Sequence, residues 1–239
     1  MEFPAPKLKP VAETAAQLIR RVVRANPGEI SVVAVGPLTN VALAMKSDPE
    51  LAAQIKEIVV MGGSLSGGNI TPAAEFNFYV DPEAARIVFD AGVPLTMVGL
   101  DVTRKVLLGE EQIKALESAQ NPVSQAAGKI MRATLERMRK GRDVTVVAMH
   151  DPLTVAHLID PSILTLKDYY VQIETSGELT AGESVGYSYA PARPSPPMNT
   201  GQPAAETSPG ELKPNAKVAV GVDADKFFRL LIPRLTGAA

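Results

Sequence analysis

The sequence predicts an α/β fold with an open, mostly parallel sheet flanked by helices. Short apolar, β-branched runs at 30–35, 58–61 and 94–98 alternate with stretches of helical periodicity, the order that crossover-connected parallel strands require. The runs are mostly apolar, as buried strands are. At 239 residues, 46% hydrophobic and 21% charged, the chain is long enough for one sizeable core.

Each element has its own local reason. Val11, Ala15, Leu18, Ile19, Val22 and Val23 recur at helical spacing, and Asn26-Pro27-Gly28 ends that helix. The first strand follows at 30–35. Gly36-Pro37 turns the chain, and 39–45 resumes a helical pattern. The second strand, 58–61, runs into a glycine-rich segment at 62–68. Asp81-Pro82-Glu83 starts a helix, with Asp as N-cap, Pro at the first helical position and an acid in the first turn. It reaches about residue 91, and the third strand occupies 94–98.

Residues 122–140 read as a long amphipathic helix with Val123, Ala127, Ile130, Met131 and Met138 on one side. Residues 151–159 read as helical, 169–174 and 217–222 as strands, and 224–235 as a closing helix. The stretch at about 190–214 is rich in Pro, Ser, Thr and Gly and reads as a long surface loop. It does not divide the chain, because the strand after it rejoins the same sheet. One domain over 1–239 is expected.

Composition excludes several classes of function. A formal net charge of −2 gives no basic excess to hold a phosphate backbone, so nucleic acid is not expected as a partner. Without cysteine there are no disulfides and no thiolate metal sites, which suits the cytoplasm. The first ten residues carry no apolar signal-peptide core, and no apolar run reaches membrane-spanning length, so no membrane association is expected. Tryptophan is absent, leaving Phe and Tyr as the aromatic surfaces for stacking on a base.

In open parallel sheets, ligands bind beyond the carboxyl ends of the strands. Here those ends are Val35-Gly36, Met61-Gly62-Gly63 and Leu100-Asp101. The segment after the second strand continues through Asn69, Thr71, Glu75 and Asn77. Amides and a carboxylate in a tightly folded loop suit recognition of several hydroxyls; the alternative is that 62–68 is only a flexible surface turn. No G-K-[ST] follows, so it is not a phosphate cradle.

Histidine occurs only at 150 and 157, so a neutral-pH proton donor falls to one of them. His157 sits inside a helical pattern and reads as a packed side chain. Asp151-Pro152 also reads as an N-cap with proline in the first turn. Asp101 reads either as a ligand or acid, or as a cap of the following turn. Arg104-Lys105, and Arg132, Arg137, Arg139 and Lys140, read as solvated faces.

Gly36-Pro37-Leu38-Thr39-Asn40, Met61-Gly62-Gly63, Glu75-Phe76-Asn77, Asp81-Pro82-Glu83, Leu100-Asp101-Val102-Thr103 and His150-Asp151-Pro152, in this order and spacing, resemble the inosine–uridine nucleoside hydrolase family. The resemblance covers 9–186 and 216–235. It implies hydrolysis of the N-glycosidic bond of ribonucleosides through an oxocarbenium-like transition state, with a calcium ion that binds the attacking water.

By the same resemblance, the Val35 carbonyl and the Asp151 carboxylate are metal ligands. Asn69 and Glu75 hold the 5′-hydroxyl, and Asn77 the 2′/3′-hydroxyl side. Met61 lies beneath the ribose, Phe76 borders the sugar or base, and His150 protonates the leaving base. A homodimer or homotetramer is implied.

The family's first strand ends in D-T-D-x-G-x-D-D, and no such run occurs in these residues. An N-terminally truncated version with an incomplete calcium site and impaired hydrolysis is therefore expected. The alternative is a catalytically inactive protein of the same fold that binds nucleoside or ribose, or pairs with a partner subunit. A third option is a different glycosidase using Glu75 and Asp101 as its acid–base pair.

Overall fold

A computed structural model describes residues 5–141, 143–188 and 213–237. The element order is α1 (Ala15–Ala25), β1 (Ser31–Ala34), α2 (Thr39–Lys46), β2 (Glu57–Met61), α3 (Phe76–Val80), α4 (Pro82–Phe89), β3 (Leu95–Val98), α5 (Leu100–Thr103), β4 (Leu107–Gly109) and α6 (Glu110–Ser118). It continues through α7 (Pro122–Arg139), β5 (Val146–Ala148), α8 (His150–Ile159), β6 (Leu164–Ile173), β7 (Ser184–Tyr187), β8 (Ala216–Val222) and α9 (Ala224–Thr236). The sequence expectation for 190–214 lies almost wholly outside the described residues. No helix among the described residues is long and apolar enough to cross a membrane.

Six strands form one sheet in the order β1-β2-β3-β8-β6-β7. The first four are parallel, β6 runs antiparallel to β8, and β7 antiparallel to β6. The mostly parallel sheet follows from the sequence pattern. Alternate residues of one strand face opposite sides: Ile58 and Val60 join the core with α1, α2 and α4, while Val59 joins the core with α5 to α9. Both faces of β2 are covered, which is why Ile58 to Met61 are apolar without a break.

Capping chemistry sets several helix starts. Thr14 accepts from the Gln17 N–H while the Gln17 side chain accepts from the Thr14 N–H, a reciprocal box that fixes where α1 begins. Asp81 accepts from the Ala84 N–H with Pro82 next to it, as its sequence predicts. Asp81 also accepts from Thr39 Oγ1 at 2.5 Å, tying the start of α4 to the start of α2.

The buried side of α7 differs from the one its apolar spacing suggests. Val123, Ile130 and Met138 are exposed and Ala127 and Met131 pack half-buried against the core, whereas Ser124, Gly128 and Leu135 are buried. The reason is close approach to α6. A Cβ on Gly128 would come 2.8 Å from Glu117 Cγ, and Ser124 Oγ donates to the Leu116 carbonyl at 2.9 Å. Arg132, read from sequence as solvated, is paired instead with Glu110 and with Glu117.

Arg24 Nε and Nη2 form a bidentate pair with the buried Asp48, at 2.5 and 2.7 Å, anchoring α1 to the turn after α2. The Arg24 hydrogen bond holds the Asp48 carboxyl below its ordinary value. A depressed carboxyl contributes stability that is complete above its unfolded pKa and is lost as pH falls through its folded one. Asp48→Asn should remove that acid limb. Wild-type and variant denaturation midpoints are expected to differ near neutrality and converge on acidification; a pH-independent gap would contradict the pairing.

Candidate active site

The carboxyl ends of β1, β2 and β3 lie side by side. Ala34 pairs with Val60 and Met61 with Val98, so Val35, Met61-Gly62 and Gly99 follow one another along one edge of the sheet. Strand register alone places Val35 there, exposed and one residue past β1.

Glu75 is the N-cap of α3 and is almost wholly buried. Its Oε2 accepts from the N–H groups of Gly63, Asn77 and Phe78 at 3.0, 2.9 and 3.3 Å. Asn77 Nδ2 donates to the Met61 carbonyl at 2.9 Å. Asn69 Oδ1 accepts from the Phe76 N–H at 2.9 Å. These residues thus share one construction: one polar atom is committed to the backbone, and the other is left without a protein partner among the described residues. Among the described residues, Glu75 Oε1, Asn77 Oδ1 and Asn69 Nδ2 make no hydrogen bond to protein. Two acceptors and a donor, held by the backbone, suit a polyol.

Burial pushes the Glu75 carboxyl up, its backbone N–H donors pull it down, and the Asp151 charge adds to the rise. Asp151 therefore shares the electrostatic environment of Glu75. It sits exposed in the first turn of α8, and desolvation raises its carboxyl against the opposing pull of His150. The N-cap of that helix is Met149, which makes no side-chain cap bond. The capping expectation for Asp151 is thereby corrected: the helix opens two residues earlier, leaving this carboxylate uncommitted to the backbone.

His150, the first residue of α8, lies with Nδ1 2.7 Å from the buried Thr103 Oγ1. Burial lowers its pKa, opposed by Asp151 and reinforced by Arg104. Met61 is buried beneath this end of the sheet, and Phe76 stands 48% exposed at the rim. His157 is buried in α8, as its helical pattern suggests.

The glycine-rich segment is held, which removes the flexible-turn alternative. Ser184 Oγ, from β7, accepts from the Ser64 N–H at 2.9 Å and donates to the Ser64 carbonyl at 2.8 Å. Arg104 Nη2 donates to the Gly68 carbonyl at 2.5 Å, so this side chain does more than coat a solvated face. Asp101 accepts from the Leu65 N–H and from Ser66 Oγ, while the cap of α5 is Gly99; the capping expectation for Asp101 is corrected as well.

Gly63 has φ +68°, and a Cβ there would come 2.6 Å from both Met97 Cε and Phe78 Cε2. Gly63→Ala should cost about 3 kcal/mol from backbone strain plus overpacking. Urea denaturation checks this; a loss below about 0.5 kcal/mol, the surface-substitution range, would show that the loop can shift freely.

The sequence profile of inosine-uridine preferring nucleoside hydrolases matches residues 1–229. A pyrimidine-specific ribonucleoside hydrolase RihA of Citrobacter koseri is 40% identical over 234 residues, 98% of this chain and 69% of that protein. Its Salmonella typhimurium namesake is 40% identical over 98% of this chain and 70% of its own length. Among solved structures, a plant nucleoside hydrolase superposes with a TM-score of 0.85 at 31% identity, covering 97% of this chain and 69% of that one. A purine-preferring ribonucleoside hydrolase from Gardnerella vaginalis has a TM-score of 0.85 at 29% identity, covering 99% and 70%.

Proposed function

The chain belongs to the inosine-uridine preferring nucleoside hydrolase family, and from that premise we propose that its pocket cleaves the N-glycosidic bond of a ribonucleoside to give ribose and free base. The observation that carries this reading is the backbone-locked set of Glu75, Asn77 and Asn69, each with one atom left for a sugar hydroxyl.

Asn69 and Glu75 hold the 5′-hydroxyl, Asn77 holds the 2′/3′ side, Met61 underlies the ribose, and Phe76 borders the sugar or base. Water adds to C1′ as the C1′–N bond breaks; the incoming water loses one proton and the departing base takes up one, so that ribose and neutral base result. In this reading His150 supplies that second proton as the imidazolium: Nδ1–H donates to Thr103 Oγ1, 2.7 Å away, and Nε2–H on the far side of the ring is the proton given to the base. Incubation with uridine, cytidine and inosine, followed by chromatography, should show free base. The panel spans both base classes because the relatives' names divide between pyrimidine and purine. Unchanged nucleoside throughout would contradict the reading.

Calcium, implied by the family resemblance, takes six to eight oxygen ligands. The Val35 carbonyl and the Asp151 carboxylate are oxygens of the right kind. Among the described residues, however, no three Asp, Glu, His or Cys side chains gather into a group that could hold a metal. Those residues do not make a calcium site by themselves. This same feature favours a second reading, a nucleoside-binding protein of weak or no turnover, which the chromatographic assay separates from the first. A homodimer or homotetramer in the cytoplasm is the accompanying proposal, supported by the exposed apolar side chains of α7 and the absence of cysteine.

A further inference from the structure

The short helix α5 and the residue after it send three side chains to two parts of the site. Asp101 Oδ2 accepts from the Leu65 N–H at 2.9 Å, and Oδ1 accepts from Ser66 Oγ at 2.6 Å. Thr103 Oγ1 lies 2.7 Å from His150 Nδ1. Arg104 donates to the Gly68 carbonyl. The backbone adds one more link, from the Leu100 N–H to the Gly63 carbonyl at 3.0 Å. One element therefore grips the loop leading to Asn69 and also touches His150.

We propose that Asp101 is a positioning residue for nucleoside hydrolysis: its carboxylate fixes the 63–68 loop against α5, holding the hydroxyl-binding residues at a set distance from His150. The inference rests on the proposed function. Both Asp101 oxygens are engaged by the loop, which does not suit an acid or base that must exchange a proton with substrate. This sets it apart from the acid–base pairing of Asp101 with Glu75.

The chemistry of the clamp makes the two roles separable. The Leu65 N–H is a fixed donor that needs an acceptor, whereas the Ser66 hydroxyl can donate or accept. Asparagine at 101 would offer Oδ1 to Leu65 and Nδ2 to the rotated Ser66 hydroxyl, preserving both bonds. Alanine preserves neither. A clamp therefore survives Asp101→Asn, and a proton-transfer role does not.

The experiment measures steady-state kinetics of the full chain with uridine and 5′-deoxyuridine for wild type, Asp101→Ala, Asp101→Asn and Ser66→Ala. Asp101→Ala is expected to raise KM for uridine by about tenfold, and Asp101→Asn by no more than about threefold. The loss in Asp101→Ala should be smaller on 5′-deoxyuridine, which has already forfeited the hydroxyl that Asn69 and Glu75 hold; a general loss of packing would weaken both substrates alike. Asp101→Asn as damaged in kcat as Asp101→Ala overturns the proposal, as does a wild-type KM in Asp101→Ala.

Should Asp101→Ala not fold, Ser66→Ala decides, with an expected rise of about threefold and the same 5′ selectivity; a wild-type KM there overturns the clamp. Absence of turnover in the wild type would count against the hydrolase reading alone. The clamp is then read from calorimetric dissociation constants for the same nucleosides, with the same pattern expected and the same outcomes overturning it.

Discussion

Glu75→Gln lowers kcat/KM for a ribonucleoside by about two orders of magnitude while leaving the thermal midpoint within about 3 °C of wild type. Glutamine reproduces what Glu75 does for the fold. Its amide oxygen can take the position of Oε2 and accept from the Gly63, Asn77 and Phe78 N–H groups. The NH₂ group then occupies the position of Oε1, turning an acceptor into a donor where a sugar hydroxyl must donate. The fold is kept and recognition is lost. Parallel activity and melting curves check this. A variant that melts far below wild type would show that charge on Glu75, not its acceptor geometry, holds α3 in place; a fully active one would remove it from the pocket.

His150→Ala is expected to slow inosine hydrolysis by about 10²- to 10⁴-fold, the span usual for general acid catalysis. The loss should be much smaller on p-nitrophenyl riboside, whose phenolate departs without taking a proton. Thr103→Val should have the same signature at about a tenfold loss, because it frees the imidazole to change tautomer and orientation. Equal losses on both substrates would make His150 a packing residue.

The parts of the fold legible in the sequence are those where local pattern and tertiary environment agree. β1, β2 and β3 announce themselves because they are short, mostly apolar and rich in β-branched residues, and α4 because Asp81-Pro82 is an unambiguous start. β4 and β5 are three residues each and too short for any periodicity to register. α3 is a five-residue helix whose cap, Glu75, reads from sequence as a ligand residue and not as a cap. α7 misleads because its contact with α6 is made through a serine and a glycine, which no hydrophobic pattern detects.

The site divides the same way. Asn69, Glu75 and Asn77 are legible as a polar cluster because they stand close together in sequence, whereas Met61 and Phe76 enter only through the family resemblance; the structure ties Asn69 to the Phe76 N–H, Glu75 to the Asn77 N–H and Asn77 to the Met61 carbonyl. Ser184 and Thr103 are not legible, because each acts on a residue 120 or 47 positions away. Asp101 stands out in the sequence by its place at the carboxyl end of a parallel strand. The identity of its partners does not, since Leu65 contributes only a backbone N–H.

A pocket that grips ribose through matched hydroxyl partners is tested most directly by base release from uridine beside its 2′-deoxy and 5′-deoxy counterparts, with and without added calcium. Release from uridine, falling by about 10²-fold or more when either hydroxyl is removed, is the predicted result, since buried polar groups left unpaired reject the deoxy analogue. Equal rates on all three compounds would mean that Asn69, Glu75 and Asn77 do not read the sugar, and the proposed site would be wrong.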